Sequence, residues 1–429
     1  MPSVLGQIAP PIRLFFYLSM ALTLFSAFMN LVAPLFGIPR SSEWPFGKTT
    51  DPFRDFYLYK PRYAFFHSPR FFTFQDWPFL YPAPLAVVSK LFYSLPHSTR
   101  VYLLTMIAGY LIAALLVVRA LVRRRFRPST AAILMLLVFA TTNMYIICYQ
   151  QANLEFIVWL TMSLALWAYF TGRGYAAAVL IGIAASMKLY PLIFIGLLLS
   201  TRKYRETLVA FATAVLSTLV SLWLVCPDLR TSIRGIQSGL ALFRTTYVLE
   251  YQPNLRYDHS LFALLKSFAL SLHGHLRASA GHPSPHTVGR ALSIYLPCMA
   301  LAGILLYVTS IRRLPLINQV LCFSVAIVLL PPVSYDYTLL HLYAVLVLLI
   351  FVSHEPQPTS TRALNTAFAA LALLLSPPPG LFVFHHQAIS GPIKCLALIT
   401  LFVVALRYPV RSSFDRMLPA RQDPIPAVA

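Results

Sequence analysis

The stretch 174–199 reads GYAAAVLIGIAASMKLYPLIFIGLLL, and its single charge and single proline decide how the rest of the chain must be threaded. It is long and apolar enough for a membrane helix, which needs about 20 such residues. Yet Arg173 precedes it and Arg202, Lys203 and Arg205 follow it. Basic loops stay on the cytoplasmic side, so a single crossing would put one of these ends on the wrong face. The run Lys188-Leu189-Tyr190-Pro191 resolves the conflict. Proline removes a backbone donor and turns the preceding residue away from helix. Two half-length helices meeting at this break, each of about 12 residues and rising roughly 18 Å, enter and leave by one face. Irregular backbone at that depth persists only against protein or a wet cavity.

The composition agrees with a bilayer as solvent. Of 429 residues 58% are hydrophobic and 11% charged, with mean hydropathy +0.70, which excludes an ordinary soluble domain. The net charge of +21 does not indicate nucleic acid, because the 34 basic residues cluster in short loops between apolar runs, where they set orientation. Cys148, Cys226, Cys298, Cys322 and Cys395 are scattered without paired spacing, so neither a zinc site nor a disulfide framework is expected. The first apolar run, 14–36, is long enough to span and ends in no small-residue cleavage site, so it reads as a helix and not as a signal peptide.

Further apolar runs occupy 101–118, 130–148, 154–170, 206–225, 290–310, 314–331, 336–353, 362–376 and 388–407. With the broken segment they predict an all-α polytopic protein of about twelve membrane segments, forming one membrane domain over 1–429 without internal repeats. Arg119, Arg123, Arg124, Arg125 and Arg127 place the loop after the second run in the cytoplasm. Both termini are then cytoplasmic, the membrane is expected to be the cell (inner) membrane, and two large segments, 37–100 and 226–289, lie outside. Of 13 acidic residues nine fall on that outer face: Glu43, Asp51, Asp55, Asp76, Glu155, Asp228, Glu250, Asp258 and Asp336. Carboxylates contribute little to orientation, so this bias supports an outward site independently.

The 64-residue segment 37–100 is too long for a connector and too aromatic for disorder, so it is expected to fold back on the membrane. Its aromatics suit interfacial helices, and an interfacial belt with solvated charges is the plain alternative to a site. A carboxylate near such an apolar surface has its pKa moved towards that of a general base. The turn Tyr149-Gln150-Gln151-Ala152-Asn153-Leu154-Glu155 offers amides and an acid to hydroxyl-rich ligands, or is simply a polar turn. Lys188 is costly in a membrane unless paired or facing a wet cavity; neutralising a phosphate suits it, and snorkelling to the interface is the alternative. Asn254 to Leu261 precede a short interfacial helix at 261–271. His273, His275, His282 and His286 follow without regular spacing, so no metal site is expected. Asp336, after the break at Pro331-Pro332, is either a second carboxylate or a helix-start residue favoured by the dipole, and His341 lies about a turn further on.

In their order these segments resemble glycosyltransferase family 87, a polyprenyl-phosphate-mannose-dependent mannosyltransferase-like group of the C-type glycosyltransferases, over roughly 50–345. Asp55-Phe56-Tyr57-Leu58-Tyr59 is similar to the family's Asp-Phe-x-x-Tyr, and Tyr81-Pro82 to its Tyr-Pro-Pro, with Ala83 in place of the second proline. Gln151-Ala152-Asn153 resembles Gly-Gln-x-Asn with Gln150 at the glycine, and Lys188-Leu189-Tyr190-Pro191 resembles Lys-Pro-x-Pro. Asp258-His259-Ser260-Leu261 resembles Asn-Gln-Ser-Leu, and Ser334-Tyr335-Asp336 stands where the family often shows Ser-Trp and an acid or a His pair. The resemblance implies transfer of a hexose, mannose first, from a polyprenyl-phosphate donor to a hydroxyl of a glycan or glycolipid acceptor on the outer face, with inversion. It assigns Asp55, or else Asp51, as general base, and Lys188, with Arg54, Arg62, Arg256 and Tyr190, to the donor phosphate. Tyr59, Gln151, Asn153, Asp258, His259 and Asp336 would contact sugar or acceptor. No cofactor is implied; a divalent cation is compatible but not indicated. Two other classes fit in part. A transporter or flippase would use an intramembrane lysine and a broken helix, but should show related halves. A lipid-linked oligosaccharide ligase or polymerase usually centres on a large late loop.

Overall fold

A computed structural model describes residues 8–32, 35, 52–74, 79–124, 126–249, 255, 257–276, 285–355, 360–377, 383–384, 387–388 and 390–418. The described chain is helical apart from a small antiparallel ladder, β1 (Val383–Phe384) with β2 (Gln387–Ala388). In order the helices are α1 (Pro10–Val32), α2 (Arg54–Tyr57), α3 (Arg70–Thr73), α4 (Ala83–Tyr93), α5 (Ser98–Arg123) and α6 (Pro128–Thr141). Then come α7 (Met144–Gln151), α8 (Glu155–Phe170), α9 (Gly174–Met187), α10 (Ile195–Ser200), α11 (Tyr204–Val225) and α12 (Leu229–Phe243). The last six are α13 (Leu261–Leu276), α14 (Pro285–Thr309), α15 (Leu316–Leu329), α16 (Leu342–Val352), α17 (Thr361–Leu375) and α18 (Ser390–Arg407).

Five helices are long and apolar enough to cross a bilayer: α1, α5, α11, α14 with the turn that follows it, and α18. A sixth crossing is available if α6 and α7, bent by 60° at Thr142-Asn143, count as one broken span. Five or six of the expected twelve segments have spanning length among the described residues; the runs 154–170, 314–331 and 362–376 become α8, α15 and α17, of 16, 14 and 15 residues, and 336–353 becomes a 3₁₀ turn, Asp336–His341, continued by α16. At 1.5 Å per residue α8, α15 and α17 rise roughly 21–24 Å, short of the ~30 Å hydrocarbon core. Their apolarity has another cause. Every residue of α15 is buried in protein, whereas α11 and α14 expose broad apolar faces, as lipid-facing helices do.

The break in 174–199 is present. α9 ends at Met187, Lys188 is extended (φ −148°, ψ 138°), a short 3₁₀ turn covers Tyr190–Phe194, and α10 resumes the run. α9 packs against α8 and α11. Small residues allow the second contact: a Cβ on Gly182 would lie 2.5 Å from the Ala210 carbonyl oxygen.

The described part of segment 37–100 packs on itself and on the end of α11. Arg62 is buried and donates to the carbonyls of Phe71 (2.8 Å) and Phe74 (3.1 Å), turning the chain on itself. Tyr59, Tyr63, Phe71, Phe72 and Phe79 form an aromatic core with the end of α11. The His67 amide donates to the Val225 carbonyl at 2.9 Å. α12 lies over this segment: a Cβ on Gly235 would strike the Phe72 ring at 2.2 Å, and one on Gly239 the Phe79 carbonyl oxygen at 1.9 Å. A helix does follow Asp258, α13, and it is longer than the expected 261–271.

Candidate functional site

The site is built on the turn between α7 and α8. Gln151 ends α7, and Ala152 takes a left-handed conformation (φ 48°), uncommon for a residue with a Cβ, so that the chain reverses within two residues. The Asn153 carbonyl accepts from the Tyr102 hydroxyl at 2.9 Å, and its side-chain oxygen accepts from the Glu155 amide at 2.8 Å, an Asx turn just before α8. That leaves the Asn153 amide nitrogen pointing outward, where it donates to Asp55 Oδ2 at 2.6 Å.

Asp55 reaches this amide because α2 is pinned on both sides. The Phe53 amide donates to the Gln150 carbonyl at 2.8 Å, the Phe56 ring stacks on Tyr102 at 4.4 Å, and the Tyr93 hydroxyl donates to the Phe56 carbonyl. Burial raises the Asp55 pKa, and the Asn153 bond, Lys188 and Arg54 pull against that rise. Asp55 stays partly open to solvent, while Asn153 is buried.

Two residues beyond Asn153, Glu155 is fully buried and saturated by three donors. Lys188 Nζ forms an ion pair with its Oε2; the Tyr190 hydroxyl and His341 Nε2 (2.8 Å) meet its Oε1. A carboxylate without water is tolerable only when its lone pairs are filled in this way. The ammonium also faces the rings of Tyr81, Tyr190 and Tyr337 at 5.9, 5.9 and 5.7 Å. Such faces favour a cation. The Lys188 side chain keeps 17% of its surface exposed, so donors remain for an anion arriving from outside.

A second network lies beside the first. Asp258 Oδ1 accepts from the amides of Ser260 and Ser334, each at 2.9 Å, and burial lifts its pKa to about 6 against those bonds. His259 Nε2 meets the Ser334 and Thr338 hydroxyls at 3.1 and 3.3 Å. Its Nδ1 stands 3.6 Å from Asp336, but burial drives the His259 pKa down to about 3, so the ring is neutral and this is no ion pair near pH 7. The charge partner of Asp336 is Lys394, buried in α18, at 2.5 Å.

The structure thus brings Asp55, Asn153, Lys188 and Tyr190 into one network, and sets Asp258, His259 and Asp336 in the neighbouring one. Tyr337, next in sequence to Asp336, is the ring that faces Lys188 across the boundary. Arg54 is exposed beside Asp55, and Gln151 is half-buried at the end of α7. Tyr59 is buried, with its ring against Tyr81 (5.6 Å) and Phe79 (5.2 Å). The Arg62 guanidinium is engaged by the loop carbonyls described above. Asp51 and Arg256, like Glu43, Asp76 and Glu250, lie outside the described residues. Among the described residues no group of three or more His, Cys, Asp or Glu could hold a metal.

Sequence reasoning missed Glu155 as the partner of the lysine, His341 as a further partner of Glu155, and Lys394 as the partner of Asp336. The cost of a buried ammonium was a usable signal: it demands a carboxylate, and Glu155 heads the adjacent apolar helix. A family model, glycosyltransferase family 87, matches residues 79–377. That range includes Asn153, Glu155, Lys188, Asp258, Asp336 and His341, and begins after Asp55. No curated protein and no solved structure matches the chain.

Proposed function

Since the chain belongs to glycosyltransferase family 87 and is a membrane glycosyltransferase, we propose that it moves a hexose, mannose first, from a polyprenyl-phosphate carrier to an acceptor hydroxyl on the outer face, with inversion. The observation that carries this reading is the single hydrogen-bonded path from Asp55 through Asn153 and Glu155 to Lys188. It holds a carboxylate and an ammonium in one fixed frame. Asp55 acts as general base towards the acceptor hydroxyl, and its raised pKa makes it a stronger base than an exposed aspartate. Lys188 offers fixed positive charge where the phosphate leaving group becomes more negative. Glu155 keeps that charge oriented without cancelling the exposed donors, because an ammonium has three. Arg54 adds charge at the rim, and Gln151, Tyr59 and Asn153 serve sugar hydroxyls. Asp258, His259 and Asp336 shape the acceptor side through the backbone at 334–338.

The test is sugar transfer from a polyprenyl-phosphate-mannose donor in membranes carrying the full chain. Asp55→Asn keeps the Asn153 contact but removes the base, and should lower kcat by about 10²-fold or more with donor binding kept. Lys188→Ala should weaken both donor binding and turnover. Unchanged transfer in Asp55→Asn would sink the base assignment, and normal donor use in Lys188→Ala would sink the phosphate role.

A further inference from the structure

One cleft among the described residues lies away from the proposed chemistry. It is an apolar cleft of about 740 Å³ between α5, α6, α8 and α16, within the range of small-molecule sites. It runs from Tyr110 to Arg124 on α5, roughly 20 Å at 1.5 Å per residue, somewhat more than the ~15 Å depth of one leaflet's hydrocarbon. Ile112 and Trp167, both exposed, border it, so it opens sideways towards lipid. Its walls are apolar along this length and basic at one end only. There Arg119, Arg123 and Arg173 line the mouth. All three are exposed, and none has a carboxylate partner among the described residues. Arg173 rests over the Trp167 ring at 5.5 Å, which holds it at the mouth. Arg124 has a different task, paired with Glu355 and stacked over Phe351 and Phe414.

We propose that this cleft binds an anionic glycerophospholipid, its acyl chains between α5 and α8 and its headgroup phosphate on Arg119, Arg123 and Arg173. Charge complementarity selects the occupant: three unpaired guanidiniums at the end of an apolar shaft match a phosphate on hydrocarbon and no zwitterion equally well. The polyprenyl donor is a poorer fit. Tyr102, on the same helix, touches Asn153, and Arg119 is 17 residues further along, about 26 Å away, so a phosphate here is far from Lys188. Basic pockets between membrane helices are a recurring way to hold such headgroups.

Native mass spectrometry of the full chain, released from micelles containing equal phosphatidylglycerol and phosphatidylcholine, tests this. One phosphatidylglycerol should stay bound per chain in preference to phosphatidylcholine. The triple variant Arg119→Gln, Arg123→Gln, Arg173→Gln should weaken that retention about 100-fold, at roughly fivefold per guanidinium. The control Arg312→Gln, Arg313→Gln should retain it. Equal retention of the two lipids by the wild-type chain overturns the proposal without any variant. So does an equal loss in the control, which would mean diffuse surface charge, or a lipid-free dimer joined through this face, which would make a second copy the occupant.

Discussion

Asp258 shows how one buried carboxyl can both stabilise and burden the fold. Its Oδ1 joins the 258–260 turn to the 334–338 turn through two amides, yet burial lifts its pKa from 3.8 to about 6. A raised carboxyl pKa means that the folded state holds its proton more tightly than the unfolded state. The stability it contributes is therefore full below the unfolded pKa and is lost as pH rises from about 4 through about 6. Asp258→Asn keeps the accepting oxygen and cannot ionise. Its stability relative to wild type, followed by the thermal midpoint, should rise between pH 5 and pH 7 by about 1–1.5 kcal/mol. Asp258→Ala should instead lose about 1–3 kcal/mol for each orphaned amide at either pH. A wild-type minus Asn difference that does not change with pH would refute the raised pKa.

Among the elements, the break at Lys188 was legible because two independent signals coincided there, basic residues at both ends and Pro191 inside. The count of crossings was not. Hydropathy measures exclusion from water and is blind to whether lipid or protein does the excluding, so wholly buried α15 reads the same as lipid-facing α11. Residue pairing was invisible for a related reason: Lys394 meets Asp336 from 58 residues away, and His341 meets Glu155 from 186, with no local periodicity to announce either. Asp55 and Asn153 were found through motif order, while their mutual bond was not. The Lys394 pair adds a buried charge contact to the apolar packing of α18 on α15 and α17. Lys394→Met strands a buried carboxylate and should cost about 3–5 kcal/mol, whereas Lys394→Met with Asp336→Leu should recover most of that loss. Chemical denaturation in micelles gives the stability and transfer assays give the rest. A stable but inactive double variant would mean that Asp336 contacts sugar, and an active one would assign it to the scaffold.

At the scale of the whole molecule, the segments 37–100 and 226–289 are joined through α12, which meets Phe72 and Phe79 at Gly235 and Gly239, where no side chain fits, and so form one layer. Gly239→Leu should cost at least the 1–3 kcal/mol typical of overpacking, since its obstacle is a backbone oxygen. Limited proteolysis should then cut within the first segment, with the membrane helices intact and transfer lost. Protection equal to wild type would show that the layer does not depend on this contact. Asn153 and Glu155 stand only two positions apart at the start of α8, one holding the proposed base and the other the proposed phosphate ligand. Acceptor choice and donor affinity are therefore poor candidates for independent engineering: a substitution that tilts the first turn of α8 to admit a bulkier acceptor will also reposition the ammonium, so libraries aimed at new specificity will do better when they leave 153–155 untouched and vary the rim.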